Sequence, residues 1–192
     1  MKTAITSLLL TLLAAITLTA QETAKQPAQA APAIDRAALV GTWIIKEEIT
    51  GEEIMKNSGG KVQLPPGMSM SIAIDGLQTY AADGTGTSSG TLINRISTQG
   101  QTQEIAFAIS EEVTWELDGD VIVETIVSGS AEPANDFTRQ AAAANPQVLA
   151  QAQPKAGKVT RTTILALSDT EITTRAAYDN GIVLELTATR QP

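Results

Sequence analysis

The sequence predicts an all-β fold, an antiparallel up-and-down barrel of about eight to ten strands with a short helical insertion. Apolar and polar residues alternate with a period of two over most of residues 43–190, as half-buried strands require. Asp-Gly and Asn-Gly pairs separate several of these segments and favour tight hairpin turns. A meander of many strands hides its edges best by closing into a barrel, although a β-sandwich is the alternative.

The first twenty residues have the pattern of a secretory signal peptide. Lys2 supplies a positive start, residues 4–20 carry no charge, and leucines concentrate in residues 8–13. The apolar run is short for a membrane span. We therefore expect a signal peptide at residues 1–20 and an exported protein, periplasmic or secreted, with no membrane span after signal removal.

Two regions make up the rest of the chain. Residues 21–37 are rich in Ala, Gln and Pro and show no strand or helix period, which predicts a flexible linker. A short helical turn is expected near Asp35, just before the first strand. Residues 38–192 are predicted to form one barrel domain.

The strands are predicted from alternation and β-branched residues. They are expected at residues 43–50, 68–74, 105–109, 113–117, 122–128, 158–167, 171–178 and 182–190. Hairpin turns are expected at Asp83-Gly84, Asp118-Gly119 and Asn180-Gly181. Residues 51–67, which include Gly59-Gly60 and Pro65-Pro66-Gly67, are predicted to form a long loop over one end of the barrel.

Residues 131–157 interrupt the strand pattern as an insertion. Asn135-Asp136 and Asn145-Pro146 are helix-start signals, which favour two short helices. A disordered loop is the alternative, because each half is too short to hold a helix in water unaided. In either form we expect a mobile flap that contributes little to global stability.

Composition excludes several functional classes. The chain contains no His and no Cys, which excludes disulfides, zinc sites built on those residues and His-dependent catalytic triads. A formal net charge of −8 argues against nucleic acid as a partner. Adjacent acids such as Glu111 and Glu112 point to opposite faces of a strand, so a solvated role is expected for them. We expect no enzyme, no catalytic residue, no metal site and no cofactor.

Four motifs resemble those of bacterial lipocalin-like, or calycin-type, barrel domains. Gly41-Thr42-Trp43 resembles the G-x-W signature, and residues 80–87, 115–122 and 165–172 are similar to later turn motifs, in the same order. The resemblance implies that Gly41, Trp43 and Arg190 close one end of the barrel, with Arg190 lying over the indole of Trp43. The chain departs from the family pattern in its 131–157 insertion and in lacking a disulfide and a C-terminal helix.

The strand period also assigns an inner face. In a barrel this face is both the core and the wall of any cavity. Its apolar residues are the candidates for ligand contact: Met68, Met70, Ile72, Ile74, Ile105, Phe107, Ile109, Val113, Trp115, Leu117, Leu184 and Leu186. The sequence leaves open whether these residues fill the lumen or surround a cavity.

The resemblance and the aliphatic inner face together predict that the lumen binds a small apolar, lipid-like molecule. Because few charges fall on the inward faces assigned above, binding is expected to depend on apolar burial rather than on ion pairing. The alternative is a packed barrel that serves as a structural or protein-interaction module. The sequence does not identify a protein partner.

Overall fold

The computed structural model describes residues 34–178 and 181–192. Eight antiparallel strands form a closed barrel in which each strand pairs with its neighbour in sequence and β8 returns to β1. The predicted all-β, up-and-down architecture is confirmed, and the topology is consistent with a lipocalin-like fold. The predicted signal peptide and residues 21–33 of the predicted linker lie outside the described residues.

The two halves of the barrel differ in height. The strands are β1 (Gly41–Thr50), β2 (Met68–Tyr80), β3 (Thr85–Thr98), β4 (Gln101–Asp118), β5 (Val121–Pro133), β6 (Val159–Leu167), β7 (Glu171–Ala177) and β8 (Val183–Arg190). Strands β2 to β5 have 13 to 18 residues, whereas β6 to β8 have 7 to 9. One side of the barrel wall therefore rises well above the other.

Strands β3 and β4 differ from the sequence prediction. No strand was expected at Thr85–Thr98, because this stretch is rich in Ser, Thr and Gly, yet it pairs along its whole length with β2 and β4. The strands expected at 105–109 and 113–117 are parts of β4, whose pairing with β5 shifts between Glu112 and Val113. Pairing on both sides has overridden weak local propensity.

The turns follow the predicted pattern where the structure describes them. Gly84 and Gly119 have φ of 89° and 67°, as the expected Asp-Gly turns require. A further tight turn joins β3 to β4 through Gln99, with φ of 53°, and Gly100, a pair that is not a strong hairpin signal. The expected Asn180-Gly181 turn falls partly outside the described residues.

Within the described residues, three helices accompany the strands: α1 (Gly51–Asn57), α2 (Asp136–Ala144) and α3 (Gln147–Ala152). A 3₁₀ turn at Arg36–Ala38, capped by the side chain of Asp35, matches the helical turn expected there. The loop expectation for 51–67 is wrong for its first seven residues, because Thr50 and Glu53 form a capping box that starts α1. The buried Ile54 of α1 packs into the hydrophobic cluster at that end of the barrel.

The insertion is helical and is held by buried contacts. Its expected first residues, 131–133, belong to β5. Thr138 of α2 is fully buried, and its hydroxyl accepts a 2.9 Å hydrogen bond from the backbone N–H of Ala106. Val148 of α3 packs against Ile105. Because a buried N–H left unpaired costs about 1–3 kcal/mol, these contacts argue against the expectation that the insertion contributes little to stability, which stays a prediction.

Two arginine–tryptophan pairs close the opposite end, which we call the floor. The guanidinium carbon of Arg190 lies 4.2 Å from the ring centre of Trp43. That of Arg36 lies 4.5 Å from the ring centre of Trp115. Arg190 also donates a 2.6 Å hydrogen bond to the carbonyl of Val40. The position of Arg190 over Trp43 is the one that the family resemblance implied, and Arg36 shows that contacts with the barrel begin before residue 38.

Gly41 makes room for this arrangement. Its φ is +136°, and a Cβ built on it would lie 2.5 Å from Nη1 of Arg190. A side chain at this position would strain the backbone and displace the guanidinium. The structure thus brings Gly41, Trp43 and Arg190 together as one closure.

We predict that Arg190 and Trp43 stabilise the fold cooperatively. A double-mutant cycle with Trp43→Leu and Arg190→Gln, measured by urea unfolding, should give a coupling free energy of about 0.5–2 kcal/mol, because the cation–π contact is partly buried. The control pairs Trp43→Leu with Arg175→Gln, whose guanidinium bonds Glu185 on the outer surface. Additivity in both cycles would contradict the closure described here.

Candidate functional site

The barrel contains a cavity of about 810 Å³. This volume falls within the roughly 300–1,000 Å³ typical of small-molecule sites. Residues from all eight strands line it, together with residues 151–158, which run from the end of α3 to the start of β6. The question that the sequence left open is answered, because the lumen is not packed solid.

Strand register explains which side chains line the cavity. Gln78, Ser88 and Glu111 are successive cross-strand partners on β2, β3 and β4. Leu92 and Phe107 are partners in a row of β3 and β4 farther along, beyond the row of Gly90 and Ile109. Since side chains alternate between the two faces of a strand, whole rows point into the lumen together.

Four of the expected contact residues line the cavity, namely Phe107, Ile109, Val113 and Leu186. The other eight side chains also belong to the inward face of their strands, but they do not line the cavity. Trp115 and Leu117 belong to the hydrophobic cluster at the floor, and Ile105 packs beneath the insertion. Residues packed in the cluster around α1 are Met70, Ile72, Ile74 and Leu184. Met68 is half-buried at the start of β2.

Trp43, expected only as part of the closure, also lines the cavity. Its indole N–H donates a 2.8 Å hydrogen bond to the carbonyl of Leu39, which fixes the ring at the floor. Trp43, rather than Trp115, is therefore the indole that a molecule in the lumen would contact.

A half-buried carboxylate dominates the polar part of the cavity. Glu124 lies on β5 between the buried Ile122 and Ile126 and lines the lumen. Its Oε1 accepts hydrogen bonds from Nε2 of Gln78 at 2.9 Å and from the hydroxyl of Tyr80 at 3.3 Å. Burial raises the pKa of Glu124 to about 7, the Tyr80 hydrogen bond opposes this rise, and the charge of Glu111 adds to it.

Other titratable groups share this environment. Burial raises the pKa of Glu111, while the nearby Lys158 opposes the shift. Burial also raises the pKa of Tyr178 to about 12, and the two glutamates add to that effect. The pKa of Tyr80 is likewise well above its ordinary value, mainly through burial. Both phenols therefore stay neutral at ordinary pH and remain hydrogen-bond donors.

Two amide oxygens give the cavity further acceptor character. Asn94 lines the cavity with only 7 % of its surface exposed. Within the part of the chain that the structure describes, its Oδ1 has no hydrogen-bond partner, and neither does Oε1 of Gln151, which also lines the cavity. Buried acceptors of this kind cost roughly 1–3 kcal/mol each unless a donor reaches them.

Polar and apolar groups occupy different parts of the cavity. Asn94 lies six residues beyond Ser88 along β3, which corresponds to roughly 20 Å of extended strand. Leu92, Phe107 and Ile109 lie in the rows between these two positions. The lumen therefore has an acidic end near the floor, an apolar middle and a second polar position farther along.

The mouth of the cavity lies beside residues 151–158, because residues 155–157 line the cavity and are exposed. This segment continues the barrel wall just before β6 begins. Ile126 of β5 donates to the carbonyl of Lys158 and accepts from the N–H of Gly157. The side chain of Gln153 bonds both the N–H and the carbonyl of Ala131.

Glu124 was not among the expected site residues, and the solvated role expected for Glu111 is wrong, because Glu111 lines the cavity. The alternation of side chains along a strand could have identified both acids as inward-facing. Glu124 lies on the same face of its strand as Ile122 and Ile126, and Glu111 lies on the same face as Ile109. Glu112 is exposed, as expected. Two carboxylates, Glu111 and Glu124, thus lie on the inward faces.

No protein-family profile matches the chain, and a search of curated proteins finds no significant match. Over residues 34–178 and 181–192, no group of three or more Asp and Glu side chains is placed to hold a metal ion. In the same ranges, none of the helices has both the length and the apolar character needed to cross a membrane. The resemblance to lipocalin-like domains therefore rests on sequence motifs and on the eight-stranded topology.

We predict that Glu124→Gln stabilises the protein at about pH 8 and has little effect near pH 4. The pKa of Glu124 is about 7 in the folded state against 4.5 for an ordinary Glu. The favourable contribution of this acid is therefore complete below pH 4.5 and is lost as pH rises through 7. Gln retains an acceptor for Gln78 and Tyr80 without the charge, so the variant should be about 1–3 kcal/mol more stable at the higher pH.

Urea unfolding at several pH values measures this effect. Glu116→Gln is the matched control, because Glu116 is exposed on the outer face of β4. A difference between wild type and Glu124→Gln that did not change with pH would show that the carboxylate is not buried as described.

Proposed function

We propose that this barrel is an exported, non-enzymatic binding protein that holds a small, largely apolar molecule in its lumen. The observation that carries the proposal is the cavity of about 810 Å³ with Leu92, Phe107, Ile109 and Leu186 in its wall. A concave, mostly apolar site with a few convergent polar groups is the usual form of a small-molecule site.

Apolar burial would supply most of the binding free energy. Each CH₂ group transferred from water into the lumen contributes at most about 0.8 kcal/mol. Affinity for a homologous series should therefore rise with chain length until the cavity is full.

Two parts of the proposal rest on the sequence. The leucine-rich, uncharged pattern of residues 1–20 supports export, to the periplasm or outside the cell. The lack of His and Cys supports binding rather than catalysis, because it removes the commonest general base and the commonest thiol nucleophile.

We predict that linear alkanols bind in the lumen. The Trp115→Phe variant leaves Trp43 as the fluorescent reporter in the cavity wall. Titration with hexanol to dodecanol should give saturable changes in fluorescence, with affinity rising by up to about fourfold per CH₂ and little dependence on salt.

Matched leucine variants serve as controls. Leu92→Phe narrows the lumen and should weaken binding of the longer alkanols. Leu77→Phe lies on the outer face of β2, where Leu77 is 41 % exposed, and should leave binding unchanged. If no alkanol gave a saturable signal while the β spectrum stayed normal, the alternative of a structural or protein-interaction module would be favoured instead.

A further inference from the structure

We propose that the lumen selects molecules that carry a protonated amino group on an apolar body, with the ammonium group seated against Glu124 and Glu111. This inference rests on the proposed function and specifies the ligand class of the same cavity. It departs from the sequence-based expectation, which was binding without ion pairing.

Register and hydrogen bonding place the two carboxylates together. Gln78 belongs to the cross-strand row that contains Ser88 and Glu111. The amide of Gln78 reaches Oε1 of Glu124 at 2.9 Å. Glu124 therefore lies within side-chain reach of the row that carries Glu111, and the two charges interact.

The hydrogen-bonding groups of the wall favour a donor. The bonds from Gln78 and Tyr80 both go to one oxygen of Glu124, Oε1. Among the described residues, Asn94 and Gln151 add buried acceptors without a partner to the same cavity, but Asn94 lies roughly 20 Å of strand beyond Ser88 and would meet a different part of the ligand. A ligand that supplies N–H donors complements such a wall, because each bond to a carboxylate is charge-assisted in a poorly hydrated site.

The charged and titratable groups around the two glutamates come from several elements. Tyr80 ends β2, and Tyr178 follows β7; both are neutral donors. Lys155 and Lys158 are the only cations among the described residues that line the cavity, and both lie on the segment at its mouth. Lys158 interacts with Glu111. Glu124, nearer the floor, bonds two neutral side chains, Gln78 and Tyr80.

This arrangement discriminates among head groups. A carboxylate ligand would bring a third negative charge to the acidic end of the lumen, which is unfavourable at low dielectric. A hydroxyl group carries no net charge, so it would gain a hydrogen bond to a glutamate without the attraction between opposite charges. An ammonium group would gain the attraction of both glutamates.

The test compares three ligands with the same alkyl chain, namely decylamine, decanol and decanoate, below the concentrations at which they aggregate. Trp43 fluorescence in the Trp115→Phe protein reports binding at about pH 8. Decylamine should bind about tenfold or more tightly than decanol, and decanoate should bind most weakly. Decylamine affinity should rise between about pH 6 and pH 8 as Glu124 ionises, while decanol affinity stays constant.

Charge-removing variants locate the head group. Glu124→Gln and Glu111→Gln should each remove most of the preference for decylamine and leave decanol affinity within about twofold. Glu116→Gln, on the outer face, should change neither affinity. If a Gln variant does not fold, the amine preference is tested by the ranking of the three ligands and by the pH dependence of decylamine affinity, both measured in the Trp115→Phe protein that keeps both glutamates.

The outcomes separate this inference from the proposed function. Equal affinity for decylamine and decanol, unaffected by either Gln substitution, would overturn the amine preference while lumen binding stands. Tightest binding of decanoate would also overturn it and would assign the head group to the lysines at the mouth. No saturable signal with any of the three compounds would reject lumen binding and, with it, the inference.

Discussion

The seam between β1 and β8 is the contact on which the closed barrel depends. It contains three cross-strand pairs, in which Trp43, Ile44 and Ile45 face residues 188–190. Arg190 reinforces it by lying over Trp43 and by bonding the carbonyls of Ala38 and Val40. Closure converts one face of the sheet into an interior shielded from water, so the same contact creates the cavity and the environment that raises the pKa of Glu124.

Placing acids inside this interior has a cost in stability. An aliphatic residue at position 124 would pack beside Ile122 and Ile126 without burying a charge. A purely structural barrel gains nothing from that carboxylate, whereas a binding site gains a specific contact for a cationic group. Local features that reduce stability are most often found where a protein binds or reacts. The composition of the lumen therefore favours a binding role over a purely structural one.

The alternation of apolar and polar residues predicted much of the architecture, because this period of two depends only on the local sequence. It placed the inner face and four cavity residues, whereas the closure at Trp43 and Arg190 was implied by the family resemblance. It missed β3, whose Ser- and Gly-rich sequence becomes a strand through pairing on both sides. The convergence of Glu111 and Glu124 depends on the register shift after Glu112 and on a side chain from β2, which are tertiary features. The cavity wall also includes residues 151–158, whose position the strand period does not predict.

The most direct test of this account is a carbon-13 NMR titration of the side-chain carboxyl of Glu124, assigned by comparison with the Glu124→Gln variant. A closed barrel with Glu124 buried in its lumen predicts a pKa of about 7. An ordinary pKa near 4.5 would show that water reaches this carboxylate freely. That result would contradict a shielded acidic end and the discrimination among ligands derived from it.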